Sequence, residues 1–147
     1  MSFFKHIAGL VLLLVFCTLA SQTARAAEPD LSVLHDFGDK PGLARVMDDF
    51  MVNLLADARI SQYFAKTDQA KLKAGLIDQF CALLGGDCRY QGAAMDEVHA
   101  GLNIGVSDFN ALVEDLQAAM DKNNVPFRSQ NKLLARLAPM HRVVVTR

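Results

Sequence analysis

The sequence has no excess of positive charge: its 147 residues include 15 Lys and Arg against 16 Asp and Glu. A chain without a basic stripe offers no electrostatic case for binding nucleic acid, so we expect small molecules or proteins as partners. No alternation of apolar and polar residues lasts long enough to predict a β-strand, and no repeat or linker divides the chain. We therefore predict a single all-α domain.

Two common kinds of catalytic site are also missing. Gly85-Gly86 is not followed by the Lys-Ser or Lys-Thr of a phosphate-binding loop, so we interpret this pair as a helix stop. No arrangement of Ser, His and an acid supports nucleophilic hydrolysis. The sequence thus favours neither a nucleotide-binding enzyme nor a serine hydrolase.

The chain begins with the pattern of a secretory signal peptide. Lys5 precedes an uncharged apolar run over residues 7–20, which is short for a membrane span of about 20 residues. Ala24-Arg25-Ala26 then places small residues at the two positions that signal peptidase reads. We predict a cleaved leader over residues 1–26 and a folded domain over residues 27–147, located in the periplasm or secreted.

Two alternatives concern this leader. Extending the apolar run through Phe3 and Phe4 favours an uncleaved N-terminal membrane anchor. Lipidation at Cys17 ranks third, because Phe16 stands where a small residue is normally required. After cleavage the domain needs no membrane, and its net charge changes from −1 to −3 because two basic residues and no acidic one lie in the leader.

Two cysteines, Cys81 and Cys88, remain in the folded domain. Export would bring them into an oxidising compartment, where disulfides persist. Cys81 also fits an apolar helical pattern, in which a lone buried cysteine behaves as a small hydrophobic residue. The sequence leaves both states open, a disulfide between the two and a pair of free thiols.

Apolar residues recur at helical spacing along two long stretches in the first half of the domain. The first follows a turn at Gly38-Asp39, with Pro41 in its first turn. The second begins at Thr67-Asp68 and ends at Gly85-Gly86, before a loop over residues 87–92. Their apolar positions are Leu43, Val46, Met47, Phe50, Met51, Leu54 and Leu55 in the first, and Leu72, Leu76, Phe80, Leu83 and Leu84 in the second.

Three further helical patterns follow. A short one runs from Met95 to Asn103, and the next begins at a Ser107-Asp108 cap. The last opens near Ser129 and contains Pro139, which should kink or divide it. We assign the terminal valines, residues 143–145, to this last helix.

His99 is the most informative residue of the short pattern. Its neighbours at helical spacing are Met95, Val98 and Leu102, so its imidazole should project with the apolar stripe. Periodicity alone favours a buried neutral histidine with one satisfied hydrogen bond. The alternative is an axial ligand to haem iron, because haem needs only one strong ligand from the protein. No Cys-x-x-Cys-His occurs, so covalent c-type attachment is not indicated.

The order and spacing of many short matches resemble one known family, the group I truncated globins, from about Leu34 to Val144. No single match is specific, but their order and spacing together are. The residues that carry the resemblance are Val46-Met47-Asp48-Asp49-Phe50, Leu55-Ala56-Asp57, Tyr63-Phe64, Thr67, Leu72-Lys73, Ala82-Leu83-Leu84-Gly85-Gly86, Tyr90, Gly92, Met95, Val98-His99-Ala100-Gly101, Ile104, Phe109, Val125-Pro126 and Leu137-Ala138-Pro139.

This resemblance implies a two-over-two helical sandwich that encloses b-type haem, with His99 as the proximal iron ligand. It implies that Phe64 packs against the porphyrin. The other residues that it places around the haem are Met51, Leu72, Leu76, Phe80 and Met95. Thr67 and Lys71 are candidates for holding a haem propionate, because cations pair with carboxylates at a pocket mouth. A solvated helix face explains these last two residues equally well.

The sequence departs from the family on the distal side. Met51 stands where the family usually has a tyrosine, and Leu72 and Leu76 occupy positions that are often polar. A hydrogen bond to bound dioxygen contributes about 1–3 kcal/mol, so its absence implies roughly tenfold to a hundredfold weaker retention. We expect rapid oxygen release and easy oxidation of the iron, unless Tyr63 turns inward as a donor.

Met51 also suggests a thioether ligand opposite His99, as in electron-transfer haem proteins. Simple packing is the favoured explanation, since methionine fills irregular space readily.

Four functional hypotheses follow from the resemblance and its departures. The first is an exported haem protein that binds diatomic gases such as O2, NO or CO. The second is a haem enzyme for nitric oxide or peroxide detoxification, which would need a reductase partner or an acid–base group. The others are a His/Met-ligated electron carrier and a haem-free helical interaction domain. We expect a monomer or a weak dimer.

Overall fold

A computed structural model describes residues 31–147, and this part of the chain is helical and contains no strand. The predicted leader over residues 1–26 lies outside the described residues. Two single turns of 3-10 helix, Ser61–Tyr63 and Ala138–Met140, accompany the α-helices. The α-helices are α1 Ser32–Asp36, α2 Asp39–Ala56, α3 Gln69–Leu83, α4 Met95–His99, α5 Val106–Lys122, α6 Phe127–Leu137 and α7 His141–Val144.

Local signals explain where the two longest early helices begin and end. Gly38 enters α2 with φ of +78°, a conformation that glycine adopts without penalty. In α3 the Asp68 carboxylate accepts the Lys71 backbone N–H at 3.0 Å, which is an N-cap hydrogen bond. At its other end Gly85 is left-handed, and the Gly86 N–H donates to the Cys81 carbonyl at 2.9 Å. The predicted limits of this helix are thus explained by its caps.

Four helices build the frame that positions the site. Helices α2 and α3 pack against each other, α2 also packs on α5, and α6 contacts both α3 and α5. This pairing of α2 and α3 with α5 and α6 confirms the predicted two-over-two arrangement. The fully buried side chains at its centre are Leu43, Val46, Met47, Leu54, Leu116, Met120 and Leu133.

The structure corrects several predicted boundaries. Helix α4 ends at His99, because Ala100 has non-helical dihedral angles (φ −57°, ψ +130°), so Leu102 follows the helix rather than belonging to it. Helix α5 starts at Val106 with Gly105 as the N-cap residue, and Asp108 accepts the Gly105 N–H instead of capping by itself. Helix α6 starts two residues before the predicted Ser129.

Two other expectations concern the ends of the domain. Pro139 divides the last helix as predicted, through the turn Ala138–Met140, but Val145 is extended and lies outside α7. Helix α1 was not predicted, because its two buried residues, Val33 and Leu34, are too few to show a period. Within residues 31–147 no helix reaches the length and apolarity of a membrane span.

Candidate functional site

A cavity of about 810 Å³ opens among α3, α4 and α5. Cavities of roughly 300–1,000 Å³ with apolar walls are typical of small-molecule and cofactor sites. Its walls are mostly apolar, and the polar groups are few and concentrated at particular places. The apolar residues on its inner walls include six that were not predicted as site residues: Phe50, Leu54, Ile60, Phe109, Leu112 and Leu116.

His99 is the last residue of α4 and lines this cavity, with its side chain half-buried. Its Nδ1 lies 2.6 Å from the backbone carbonyl oxygen of Met95. A carbonyl only accepts, so in the neutral imidazole this contact places the proton on Nδ1 and leaves Nε2 with an available lone pair. A neutral imidazole held by a carbonyl in this way has the tautomer and the second-shell hydrogen bond of a metal-ligating histidine.

Most of the residues that the sequence placed at the site come together in the cavity lining. They are Phe64, Thr67, Lys71, Leu72, Leu76, Phe80, Met95 and His99.

Met51 lies elsewhere: it is buried in the hydrophobic core, 7% exposed, and is not part of the lining. The cavity-facing residues of α2 are Phe50 and Leu54, four residues apart, and Met51 is rotated by about 100° from Phe50 on the helix. Met51 is therefore not among the lining residues, and its contact with an occupant of the cavity, like a thioether ligand from it, stays a prediction.

Tyr63 lines the cavity but its hydroxyl already has a partner. It donates to Asp108 Oδ2 at 2.9 Å, and the same oxygen accepts the Gly105 N–H at 2.9 Å and Arg147 Nη2 at 3.0 Å. The hydrogen bond to Asp108, with burial, raises the pKa of Tyr63. The Gly105 and Tyr63 donors lower the pKa of Asp108. Tyr63 is therefore a neutral phenol anchored to α5, and it does not turn inward.

Gln79 is a polar cavity residue that was not predicted from the sequence. It is 8% exposed, and its Nε2 lies 3.6 Å from the Met95 sulfur and 3.8 Å from the Met140 sulfur. A thioether is a weak acceptor, so this buried amide is poorly satisfied. One feature of the sequence indicates that Gln79 faces the cavity: it follows Leu76 by three residues and so lies on the same face of the helix.

The cavity mouth carries the cationic and hydroxyl groups. Thr67 and Lys71 are exposed and line it beside Asp68. Asp68 uses a carboxylate oxygen to cap α3, and among the described residues Lys71 forms no ion pair through its ammonium group. An unpaired cation at the edge of an apolar cavity suits an occupant with carboxylates at one end.

Cys81 and Cys88 are joined by a disulfide, which decides between the two states that the sequence left open. It connects the last turn of α3 to the segment that leads to α4. No group of three or more His, Cys, Asp or Glu suited to a metal ion occurs within residues 31–147. His99 is therefore not part of a protein-only metal site in this region.

Comparison with known proteins assigns the family. Residues 32–146 match the sequence profile of the bacterial-like globins. The chain belongs to this globin family. Within it, the globin is similar to a group 1 truncated hemoglobin of Mycolicibacterium paratuberculosis, with 33% identity over 122 residues that cover 83% of this chain and 89% of the relative. A group 1 truncated hemoglobin of a Nostoc species is 29% identical over 80% of the globin and 100% of its own length.

Solved structures agree with this assignment at the level of the fold. The Fe(III) form of truncated hemoglobin from Tetrahymena pyriformis superposes on the globin with a TM-score of 0.74, at 24% identity, over 78% of the globin and 98% of that chain. The 2/2 hemoglobin from a Synechococcus species, whose heme is covalently attached, gives a TM-score of 0.72 at 22% identity, with the same shares covered. The predicted truncated globin fold is confirmed.

Proposed function

We propose that the cavity binds haem b, that His99 is the axial ligand from the protein, and that the haem binds diatomic gases. The observation that carries this proposal is the position of His99. It lies in a large apolar cavity of a truncated globin, with Nδ1 occupied by the Met95 carbonyl and Nε2 available. When bound, haem supplies an iron with a further coordination position for a small ligand.

The residues of the cavity fit the two chemical ends of such a cofactor. Its apolar walls, with Phe64 and Phe80 among them, suit a porphyrin ring, because transfer of this apolar ring out of water is favourable. Lys71 and Thr67 stand at the mouth, where they would hold the propionates. The absence of Cys-x-x-Cys-His favours haem held without thioether bonds.

The polarity of the walls indicates which ligands are held longest. Leu72 and Leu76 offer no hydrogen bond, and the hydroxyls of Tyr63 and Tyr90 donate to the Asp108 carboxylate and the Ala93 carbonyl. The Gln79 amide is directed at the Met95 and Met140 sulfurs. Dioxygen depends on a donor more than carbon monoxide or nitric oxide does. We therefore expect rapid release of dioxygen and firm binding of the other two gases.

The proposal includes export. The leader pattern over residues 1–26 supports it, and so does the disulfide between Cys81 and Cys88, because disulfides persist in oxidising compartments. Mass spectrometry of the protein purified from the periplasmic fraction should give a chain that starts at Ala27. A chain that retains residues 1–26 in the membrane fraction would support the anchor instead.

Absorption spectra of the purified protein in ferric, ferrous and ferrous–CO states test the haem proposal. We expect a stoichiometric Soret band and extraction of the haem by acid and organic solvent, as for haem b. His99→Ala should lose or strongly alter the spectrum. His35→Ala is the matched control, because His35 is exposed and pairs with Asp39 outside the cavity. No stoichiometric haem after addition of hemin, or equal effects of both variants, would refute the proposal.

A further inference from the structure

The segment between α3 and α4, residues 87–94, forms one side of the cavity, and we call it the strap. Tyr90, Gln91, Gly92 and Ala93 of the strap line the cavity. None of the strap residues is buried. The strap is therefore a wall between the cavity and solvent that contributes nothing to the hydrophobic core.

Tyr90 gives the strap its internal structure. Its hydroxyl donates to the Ala93 carbonyl at 3.0 Å. The ring lies so close to Gly92 that a β-carbon there would be 2.2 Å from the Tyr90 oxygen. On its other side the ring approaches Gly75 of α3, at 4.0 Å from the position of a β-carbon. Tyr90 thus bridges from the strap to the helix that forms the opposite wall.

The strap has almost no other attachment to the rest of the domain. Within residues 31–147, its hydrogen bonds reach no farther than Gly86 on one side and Val98 on the other, and it forms no ion pair. The Cys81–Cys88 disulfide is the exception, and it joins the strap to a buried residue of α3. The disulfide is therefore the one strong bond that holds this wall against α3.

We propose that the Cys81–Cys88 disulfide is a thiol–disulfide exchange site that controls how firmly the cavity keeps its occupant. This inference rests on the proposed function, in which the occupant is haem. With the disulfide formed, the strap stays closed across the cavity. With the disulfide reduced, the strap detaches while α2, α5 and α6 keep the fold, and haem enters and leaves faster.

The partner implied by this chemistry is a dithiol reductant. Cys88 is half-buried between exposed Asp87 and Arg89, whereas Cys81 is 2% exposed. A thiolate of the dithiol attacks the Cys88 sulfur, and the Cys81 sulfur leaves as a thiolate and takes a proton. The second thiol of the partner then displaces Cys88. The disulfide gains two electrons and two protons, and the dithiol becomes a disulfide.

Limited proteolysis of the haem-free protein tests the movement of the strap without depending on haem. Trypsin cleaves after Arg89, inside the strap. We expect at least a tenfold faster cleavage at this bond after reduction and blocking of the thiols, since local opening exposes backbone to proteases. Cleavage after Arg59 is the internal control, because Asp57 and Glu114 hold that side chain outside the strap. Equal rates at Arg89 in both states, or equal acceleration at both sites, would overturn the proposal.

Hemin transfer to excess apomyoglobin tests the consequence for the cavity. We expect about tenfold faster loss of hemin from the reduced protein, in line with loss of about 1.4 kcal/mol of retention. The double variant Cys81→Ser/Cys88→Ser should lose hemin as fast as the reduced protein does, and reductant should not change its rate. Tyr90→Ala should accelerate loss with the disulfide intact, so the inference stays testable if the double variant folds poorly.

The two tests separate this inference from the proposed function. A protein that never binds hemin refutes the function, while the cleavage after Arg89 still decides whether the disulfide holds the strap. If the protein binds hemin but loses it at the same rate with the disulfide formed and reduced, the inference is refuted and the proposed function is not.

Discussion

Two regions of the molecule differ sharply in how they are stabilised. Between residues 43 and 54, helix α2 contributes six buried residues and packs against α3 and α5. Between residues 85 and 103, which include the strap and α4, no residue is buried. Val98 and Leu102 of this second region line the cavity and are 46% and 38% exposed. The apolar side chains of the α2 region are covered by other protein residues, whereas those of the region around α4 face a cavity.

This contrast indicates that the cavity occupant serves as part of the hydrophobic core around α4. Apolar area that stays exposed contributes nothing to folding until something covers it. The short α4 cannot be stable by itself, because isolated helices of a few residues are not stable in water. It contacts α7, and the Gln79 amide lies against the Met95 sulfur. Before haem binds, these contacts and the disulfide are what position His99.

The largest expected difference compares two leucines, one from each region. Leu43→Ala should lower the free energy of unfolding of the haem-free protein by about 2–5 kcal/mol, because Leu43 is fully buried. Leu102→Ala should change it by less than about 1 kcal/mol, as for partly exposed residues. Urea unfolding followed by circular dichroism measures both. Similar losses of unfolding free energy in the two variants would contradict the difference in burial between the two regions.

Addition of hemin should change the second region more than the first. A ligand at about 1,000 times its Kd stabilises the native state by about 4 kcal/mol. We expect new amide hydrogen-exchange protection over residues 87–103. Residues 43–54 should gain little, because their amides are already protected in the haem-free protein. The His99→Ala variant is the control for specific binding. Uniform protection across both regions would show that the haem-free protein is loosely folded throughout.

The α2 region could be predicted from the sequence better than the region around α4, because only the first shows a long local period. The apolar stripe of α2 repeats over several turns, so its period identifies the helix and its buried face. Adjacent residues on a helix differ by about 100°, so the period does not tell which of Phe50 and Met51 lines the cavity. Near α4 the decisive contacts are between segments far apart in sequence, such as Gln79 with Met140 and Tyr63 with Asp108. No local pattern encodes such contacts, although the family resemblance predicted the fold and singled out His99, which lines the cavity.

Gln79 of α3 contacts Met95 of the second region, and its substitution gives a smaller effect. Gln79→Leu should raise the stability of the haem-free protein by about 1 kcal/mol, because a buried amide with only thioether partners is poorly compensated. Urea unfolding measures this change. Gln91→Leu is the control, since Gln91 is exposed in the strap. A loss of stability in Gln79→Leu would show that the N–H···S contacts to Met95 and Met140 stabilise α4.

The smallest expected effect concerns acid and the carboxylate that anchors Tyr63. Donors from Gly105 and Tyr63 lower the pKa of Asp108 in the folded protein. The stability that this carboxylate contributes is therefore complete above its unfolded pKa of about 4 and is lost as pH falls through the lower folded pKa. Asp108→Asn should reduce stability near pH 7 and flatten its decline below pH 4, measured as Tm against pH.

Asp87→Asn is the matched control for this measurement, because Asp87 is exposed in the strap and forms no ion pair within residues 31–147. It should leave the acid decline unchanged. Asp108 binds Tyr63, Gly105 and Arg147, which lie outside the strap. Acid should therefore loosen the segment after α4 without opening the strap, and cleavage after Arg89 should not follow the titration of Asp108. If Asp108→Asn accelerates that cleavage as much as reduction does, the strap and the Asp108 anchor form one unit, and the region around α4 opens as a whole.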